Sequence, residues 1–234
     1  MTNPVKTVML TGAAGNLGQA VATAFAATGA NLVLLDQRRE SLAQRFGAES
    51  AQRLFVPANL LDENEVRVAV QTAITRFGRI DVLCNLAGGF RMGDPVHATS
   101  DSTWDILQDL NVRTLLNMAR AVVPHLQEQV GGKIVNVGAF AAQRGVALMG
   151  AYCAAKSSVI RLTEAMAAEL REQHINVNCV LPTILDTPEN RAAMPDADPT
   201  RWVALPDLAS VITFLASDAA RAVHGAAVPV TGLS

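Results

Sequence analysis

Seven short, mainly apolar runs, most of them without sustained polar alternation (Asn176 and Asn178 are the exception), are separated along the chain by longer amphipathic stretches. No other feature constrains the fold as tightly. The runs cover residues 5–10, 31–35, 54–56, 80–84, 133–137, 175–181 and 226–230. The amphipathic stretches cover 16–28, 62–77, 105–128, 151–173 and 206–216, with a further helix starting at Arg39. A strand with water on one face alternates polar and apolar residues. A strand that does not alternate is covered on both faces, as in a parallel sheet with helices on each side. Right-handed crossovers between such strands give a doubly wound α/β fold, a mostly parallel sheet of about seven strands. With 234 residues, half of them apolar, the chain suffices for one core. Residues 1–234 read as a single domain, with no repeat, low-complexity tract or interdomain linker.

The formal net charge is −2 and no run of basic residues occurs, so neither nucleic acid nor an anionic membrane is expected as a partner. No stretch reaches the ~18 unbroken apolar residues of a membrane span. The first apolar run gives way to glycine at Gly12, too soon for the apolar region of a secretion signal. Three cysteines, Cys84, Cys153 and Cys179, cannot all pair with one another. Neither they nor the four scattered histidines fall at metal-ligand spacing. A reduced, cytoplasmic protein holding no metal is the expectation, with the thiols as small buried hydrophobes.

Between the first strand and the first helix the chain reads T-G-A-A-G-N-L-G at residues 11–18. Gly12, Gly15 and Gly18 permit a tight turn and close backbone approach. Asn16 and Leu17 open the helix whose N-terminus would face a pyrophosphate. A glycine turn alone is weak evidence. Here it lies between a strand and a helix, and Asp36 closes the next strand about 20 positions on, the arrangement of a Rossmann dinucleotide site. The Asp36 carboxylate is placed to accept hydrogen bonds from the adenosine ribose and to repel a 2′-phosphate. NAD, as NADH, is therefore favoured over NADP. Arg38 and Arg39 leave NADP open, because either side chain could turn towards a phosphate. Helix capping is the alternative role for Asp36.

The only tyrosine, Tyr152, is followed four residues later by Lys156, one of three lysines. Positions i and i+4 share a helix face, so phenol and ammonium point into one cleft. A phenol ionises too far above neutral pH to be a good acid–base catalyst. A nearby cation is expected to pull its pKa down towards the working range. Residues 183–200, with Pro188, Pro195 and Pro199, make a long connection inside one domain and read as a substrate lid.

Over essentially its whole length the chain resembles the short-chain dehydrogenase/reductase superfamily. The resemblance is carried by the glycine turn, N-L-A-G at 85–88, Asn111, the Tyr152–Lys156 pair, N-V-N-C-V-L-P at 176–182 and F-L-A-S-D at 214–218. It implies an NAD(P)-dependent oxidoreductase with a small-molecule substrate. Tyr152 gives or takes the proton, Lys156 holds the nicotinamide ribose and tunes the phenol, and Asn111 supports a water relay. The resemblance further implies that Asn59 and Leu60 lie at the adenine and that Thr187 lies near the nicotinamide amide. Asn85, Ala87, Gly88 and Pro182 complete the cofactor-side candidates. Helices 105–128 and 151–173 resemble those that pair across a two-fold axis in this superfamily, which implies a homodimer or a homotetramer.

Two positions depart from the family pattern. Asn16 stands where the second glycine of T-G-x-x-x-G-x-G is usual. Ala139 stands 13 residues before the tyrosine, where the family carries a serine that donates to the substrate oxygen. Loss of one such donor costs about 10²–10³ in rate. Dihydropteridine reductases, a branch of the superfamily, resemble the chain at these places. They share the G-x-x-G-x-x-G turn, the A-G-G-aromatic ending at Phe90, the serine-to-alanine change and the lid, which reads V-L-P-T-I-L-D-T-P-E-N-R-A-A-M-P-D-A-D at 180–198.

That resemblance implies reduction of a quinonoid dihydropterin, an electron-poor conjugated ring that leans less on an oxyanion donor than a simple ketone does. Phe90 would stack on the ring, or else pack under the lid. Asn111 follows the superfamily at large rather than this branch. Arg91, Met149, Met194 and Trp202 lie on segments expected to line the substrate cleft, beside Phe90 and Ala139. Two other functions stay open: an ordinary alcohol or ketone dehydrogenase, and a catalytically silent NAD-binding protein permitted by Ala139.

Overall fold

Strands β1 (Thr7–Leu10) and β6 (Ile175–Pro182) are buried at every residue, the polar side chains of Thr7, Asn176 and Asn178 included. In the computed structural model, which describes residues 5–234, they join β2 (Asn31–Asp36), β3 (Arg53–Pro57), β4 (Val82–Asn85), β5 (Gly132–Val137) and β7 (Ala227–Val230). All seven form one parallel sheet with the order β3-β2-β1-β4-β5-β6-β7. The pleat divides each strand between two cores. In β2, Leu32 and Leu34 face one layer while Val33 and Leu35 face the other.

On the first side, α1 (Asn16–Ala26) packs on α8 (Leu205–Leu215), with Leu42 of α2 (Arg39–Phe46) beside them. On the second side lie α3 (Glu63–Phe77), α5 (Thr114–Glu128) and the end of α6 (Gly150–Leu170). Each fully buried Leu or Val contributes about 1.5–3 kcal/mol relative to exposure, so both layers are needed to hold the sheet. Because all strands run one way, Leu10, Asp36, Pro57, Asn85, Val137 and Pro182 end at one edge. Register fixes neighbours there: Asp36 stands opposite Pro57, and Asn85 opposite Asn136. The loops that follow this edge build the site.

Two helices differ from the sequence expectation. The stretch expected to run unbroken over 105–128 begins earlier, as α4 (Asp101–Gln108), where Ser100 caps it by accepting a hydrogen bond from the Thr103 amide. It then passes through a wide π-turn at Asp109–Arg113 before α5. Hydrophobic periodicity does not register one wide turn, whose extra residue shifts the phase of the helix. The second helix, expected over 151–173, ends at Leu170, and a short 3-10 turn carries the chain to Gln173.

The lid segment is ordered around α7 (Pro188–Ala193). Its base is pinned by a backbone pair, Asp186 N–H to Val203 O at 2.9 Å and Val203 N–H to Ile184 O at 2.9 Å. All three cysteines are buried and free. No helix among the described residues is long and apolar enough to cross a membrane. Those residues bring together no group of three metal-ligating side chains either.

Candidate active site

Thr11 follows β1, and its hydroxyl oxygen accepts hydrogen bonds from the Leu86 and Ala87 amides at 3.0 and 3.1 Å. This ties the glycine turn to the end of β4. Gly12 then takes φ +61°, and a Cβ there would lie 2.9 Å from Ala87 Cα, so only glycine fits. Gly15 is the N-cap of α1 and supplies no side-chain cap. The first amides of α1, from Asn16, Leu17 and buried Gly18, lie at a helix mouth suited to a phosphate. Asp36 Oδ2 accepts from the Ala14 amide at 3.0 Å, which holds the carboxylate against the turn. Arg39, by contrast, donates to Phe55 O and pairs with Glu49, so it is committed away from the Asp36 carboxylate.

At the end of β3, Asn59 Oδ1 accepts from the Leu61 amide. The Leu60 side chain is buried in the second core, and its carbonyl accepts from Asn117 Nδ2. Any contact of Leu60 with an adenine would therefore come from the backbone. A buried amide chain runs beneath the site. Asn85 Nδ2 donates to Asn136 Oδ1, and Asn136 Nδ2 donates to Thr163 Oγ1, each at 2.9 Å. Asn85 Oδ1 is buried with no hydrogen-bond partner among the described residues.

Asn111 sits in the π-turn and is buried. Its amide donates to Gly89 O at 3.0 Å and to Leu107 O at 2.9 Å, and its Oδ1 accepts from the Gly89 amide at 3.1 Å. A Cβ on Gly88 would lie 2.7 Å from Asn111 Oδ1 and 3.2 Å from Lys156 Nζ. Gly88 thus lets one loop pass directly over both groups. Lys156 is buried, and its Nζ donates to Val137 O at 2.8 Å.

Burial pushes the Lys156 ammonium down to about 8, with the Cys179 thiol opposing the shift. Burial pushes the Tyr152 phenol up to about 12, and the neighbouring Cys153 adds to the rise. The sequence expectation that Lys156 would lower this phenol is corrected. Desolvation of the ring drives the rise, and the ammonium one turn away donates to the Val137 carbonyl.

Ala139, at the position of the family serine, is 4% exposed and packs in an apolar cluster with the Tyr152 ring. Phe90 meets that ring edge-on, with centroids 4.9 Å apart and planes at 87°. Outside Tyr152 lies a cavity of about 210 Å³ lined by Arg91, Met92, Leu107, Leu148 and Met149 among others. Leu148 is held at φ 62°, in the left-handed region, with its carbonyl accepting from the Gly93 amide at 2.9 Å. That contact fixes the two loops flanking the cavity. Met194 follows α7 and Trp202 is buried, and of the residues expected at the substrate cleft neither these two nor Phe90 and Ala139 line this cavity, whereas Arg91 and Met149 do. Pro182 closes β6, and Thr187 caps α7 by accepting from the Asn190 amide.

Sequence reasoning missed several contributors. Thr11 was visible as the residue before the turn. Asn136, the Val137 carbonyl and Glu189, which accepts from Asn16 Nδ2 at 2.7 Å, carry no local signal.

A family model described as short chain dehydrogenase matches residues 6–198. D-threitol dehydrogenase of Mycolicibacterium smegmatis is 33% identical over 239 residues, covering 97% of this chain and 92% of that protein. Levodione reductase of Leifsonia aquatica is 31% identical over 248 residues, covering 97% and 93%. The structure of 3-ketoacyl-(acyl-carrier-protein) reductase from Brucella melitensis complexed with NADH superposes with a TM-score of 0.88 at 28% identity. That match covers 99% of this chain and 98% of the other. The chain therefore belongs to the short-chain dehydrogenase family. It is an NAD(P)-dependent oxidoreductase of that class. Its residues fit the dinucleotide: an uncapped helix mouth, a carboxylate beside it and a glycine cradle over Lys156.

Proposed function

We propose that the protein uses NADH to reduce a flat, conjugated acceptor, of which a quinonoid dihydropterin is the reference compound, with Tyr152 as proton donor. The observation that carries this reading is Ala139. The position facing the substrate oxygen in the family is apolar here, buried against the Tyr152 ring, with Phe90 edge-on beyond it. Exposed Met92, Phe140 and Leu148 on the loops around Tyr152 also favour an apolar, planar guest. The lid resembles that of dihydropteridine reductases, which supports the same substrate class.

The bound nicotinamide supplies the hydride. The α1 mouth would hold its pyrophosphate, and the Asp36 carboxylate would accept from its ribose, favouring NADH. Buried Lys156 would hold the second ribose while keeping its bond to Val137 O. Asn111 acts chiefly by fixing the Gly89 backbone through two hydrogen bonds, while a third to Leu107 O anchors its own side chain, and so positions the loop over the ammonium. Burial holds the Tyr152 phenol up at about 12, so it carries its proton across the working range and would need that value lowered by the bound cofactor and substrate to give the proton up readily.

A second reading, oxidation of a polyol or reduction of a cyclic ketone, is favoured by the likeness to D-threitol dehydrogenase and levodione reductase. Steady-state NADH oxidation with quinonoid dihydropterin beside a panel of ketones separates the two. The pterin is expected to outrun the ketones. A pterin rate at background beside a brisk ketone would overturn the first reading. Assembly as a two-fold dimer through α4–α5 and α6 belongs to the same proposal, and light scattering tests it.

A further inference from the structure

The edge of the sheet opposite the active site holds a second cavity, of about 310 Å³, among the N-terminal ends of β1, β4, β5 and β6. The two edges are separated by strands of 4–8 residues, roughly 13–26 Å. Five fixed cations line the cavity, Lys6, Arg79, Lys133, Arg171 and Arg221, together with His174 and His224. Only two carboxylates face them, on a chain whose net charge is −2.

Both carboxylates are already engaged. Asp81 takes Arg79 through a forked contact of 2.9 and 2.5 Å and also accepts from the Thr7 amide at 2.8 Å. Asp218 pairs with Lys6 at 2.8 Å. Lys133, Arg171 and Arg221 have no carboxylate partner among the described residues.

The C-terminal end of α6 accounts for Arg171 and His174, since cations are favoured beside the last carbonyls of a helix. It does not account for Lys133 on β5 or Arg221 beyond α8. These are held in place by buried Asn176, 3% exposed. Asn176 Oδ1 accepts from Lys133 Nζ at 2.6 Å, while its amide donates to Arg221 O at 3.0 Å and contacts His224 Nε2 at 3.1 Å. One buried amide thus positions a half-buried lysine, an arginine backbone and a histidine around a common space. Burial and the neighbouring Lys6 both press the Lys133 ammonium below its usual range, with Asp218 opposing, so an anion arriving there would relieve an existing cost.

We propose that this cavity binds a small multivalent oxyanion, phosphate-bearing or polycarboxylate, gripped by Lys133, Arg171 and Arg221. Charge-assisted, forked contacts of this type are the strong ones. The site is separate from the dinucleotide cleft and does not depend on which substrate is reduced there.

Thermal unfolding with NADH held at saturation, so that the cofactor cleft is filled, tests the proposal directly. Sodium tripolyphosphate and sodium citrate are titrated in parallel arms against sodium chloride of equal ionic strength. At least one polyanion is expected to raise Tm saturably by several degrees while sodium chloride does not, and the responsive arm identifies the anion type. The double variant Arg171→Ala/Arg221→Ala, altered only at exposed side chains, is expected to weaken that binding at least about tenfold with KM for NADH unchanged. A shift equal in wild type and double variant, a shift matched by sodium chloride, or no response in either arm would overturn it.

Discussion

Asn16 and Glu189 lie 173 positions apart in the chain and are joined by a 2.7 Å hydrogen bond from the asparagine amide to the glutamate carboxylate. The bond ties the lid helix α7 to the first turn of α1, and it uses the residue that stands in place of the usual glycine. The contact leaves a carboxylate near the helix mouth that suits a pyrophosphate. Its pKa is held low first by a backbone hydrogen bond, with Thr187, Asn16 and Arg45 adding to that effect and desolvation opposing. Removing the charge while keeping an acceptor, Glu189→Gln, should tighten NADH binding about two- to fivefold, as expected for one charge near a helix end. Fluorescence titration measures this. Unchanged or weaker binding would show that the carboxylate is no obstacle to the dinucleotide.

Much of this architecture was legible in the sequence, for physical reasons that differ between elements. The strands were readable because Leu32 to Leu35 lack a polar face, and both faces of β2 are covered. Asp36 was readable from its distance to the glycine turn, and Tyr152 with Lys156 from one helical turn of spacing. The π-turn around Asn111 was not, since one wide turn leaves no compositional mark. Pairings such as Asn16 with Glu189, or Lys6, Lys133 and Arg221 around one cavity, depend on how distant loops meet at the sheet edges. The Tyr152 pKa went the other way because sequence spacing registers a nearby charge and is blind to desolvation.

Lys156 makes stability depend on pH. Its folded pKa of about 8 lies below the ordinary 10.5, so the unfolded chain holds more protons between those values and stability rises with pH across that window. Below about pH 8 the buried charge costs on the order of 3 kcal/mol. Lys156→Met should therefore gain stability over wild type at pH 7, and the gap should narrow towards pH 10. Urea unfolding at both values checks the trend, and a gap independent of pH would contradict it.

Ala139→Ser restores a hydroxyl beside Tyr152. On simple ketones kcat/KM should rise by at least about tenfold, a part of the 10²–10³ attributed to one oxyanion donor. On a quinonoid pterin the change should stay within about threefold. A large pterin gain would show that the missing serine limits that reaction too.

Asn111→Ala removes three hydrogen bonds from a buried position. It should destabilise the protein by about 2–3 kcal/mol, since the Gly89 and Leu107 groups lose their partner. The denaturation midpoint should fall with little change in slope, and a midpoint equal to wild type would remove Asn111 from the framework of the site.

The most direct measurement is NADH oxidation by Tyr152→Phe with the best acceptor of the substrate panel. The account predicts that wild type turns over, that the variant falls by at least ~10², and that both bind NADH with similar affinity. A variant within tenfold of wild type would mean the proton comes from elsewhere.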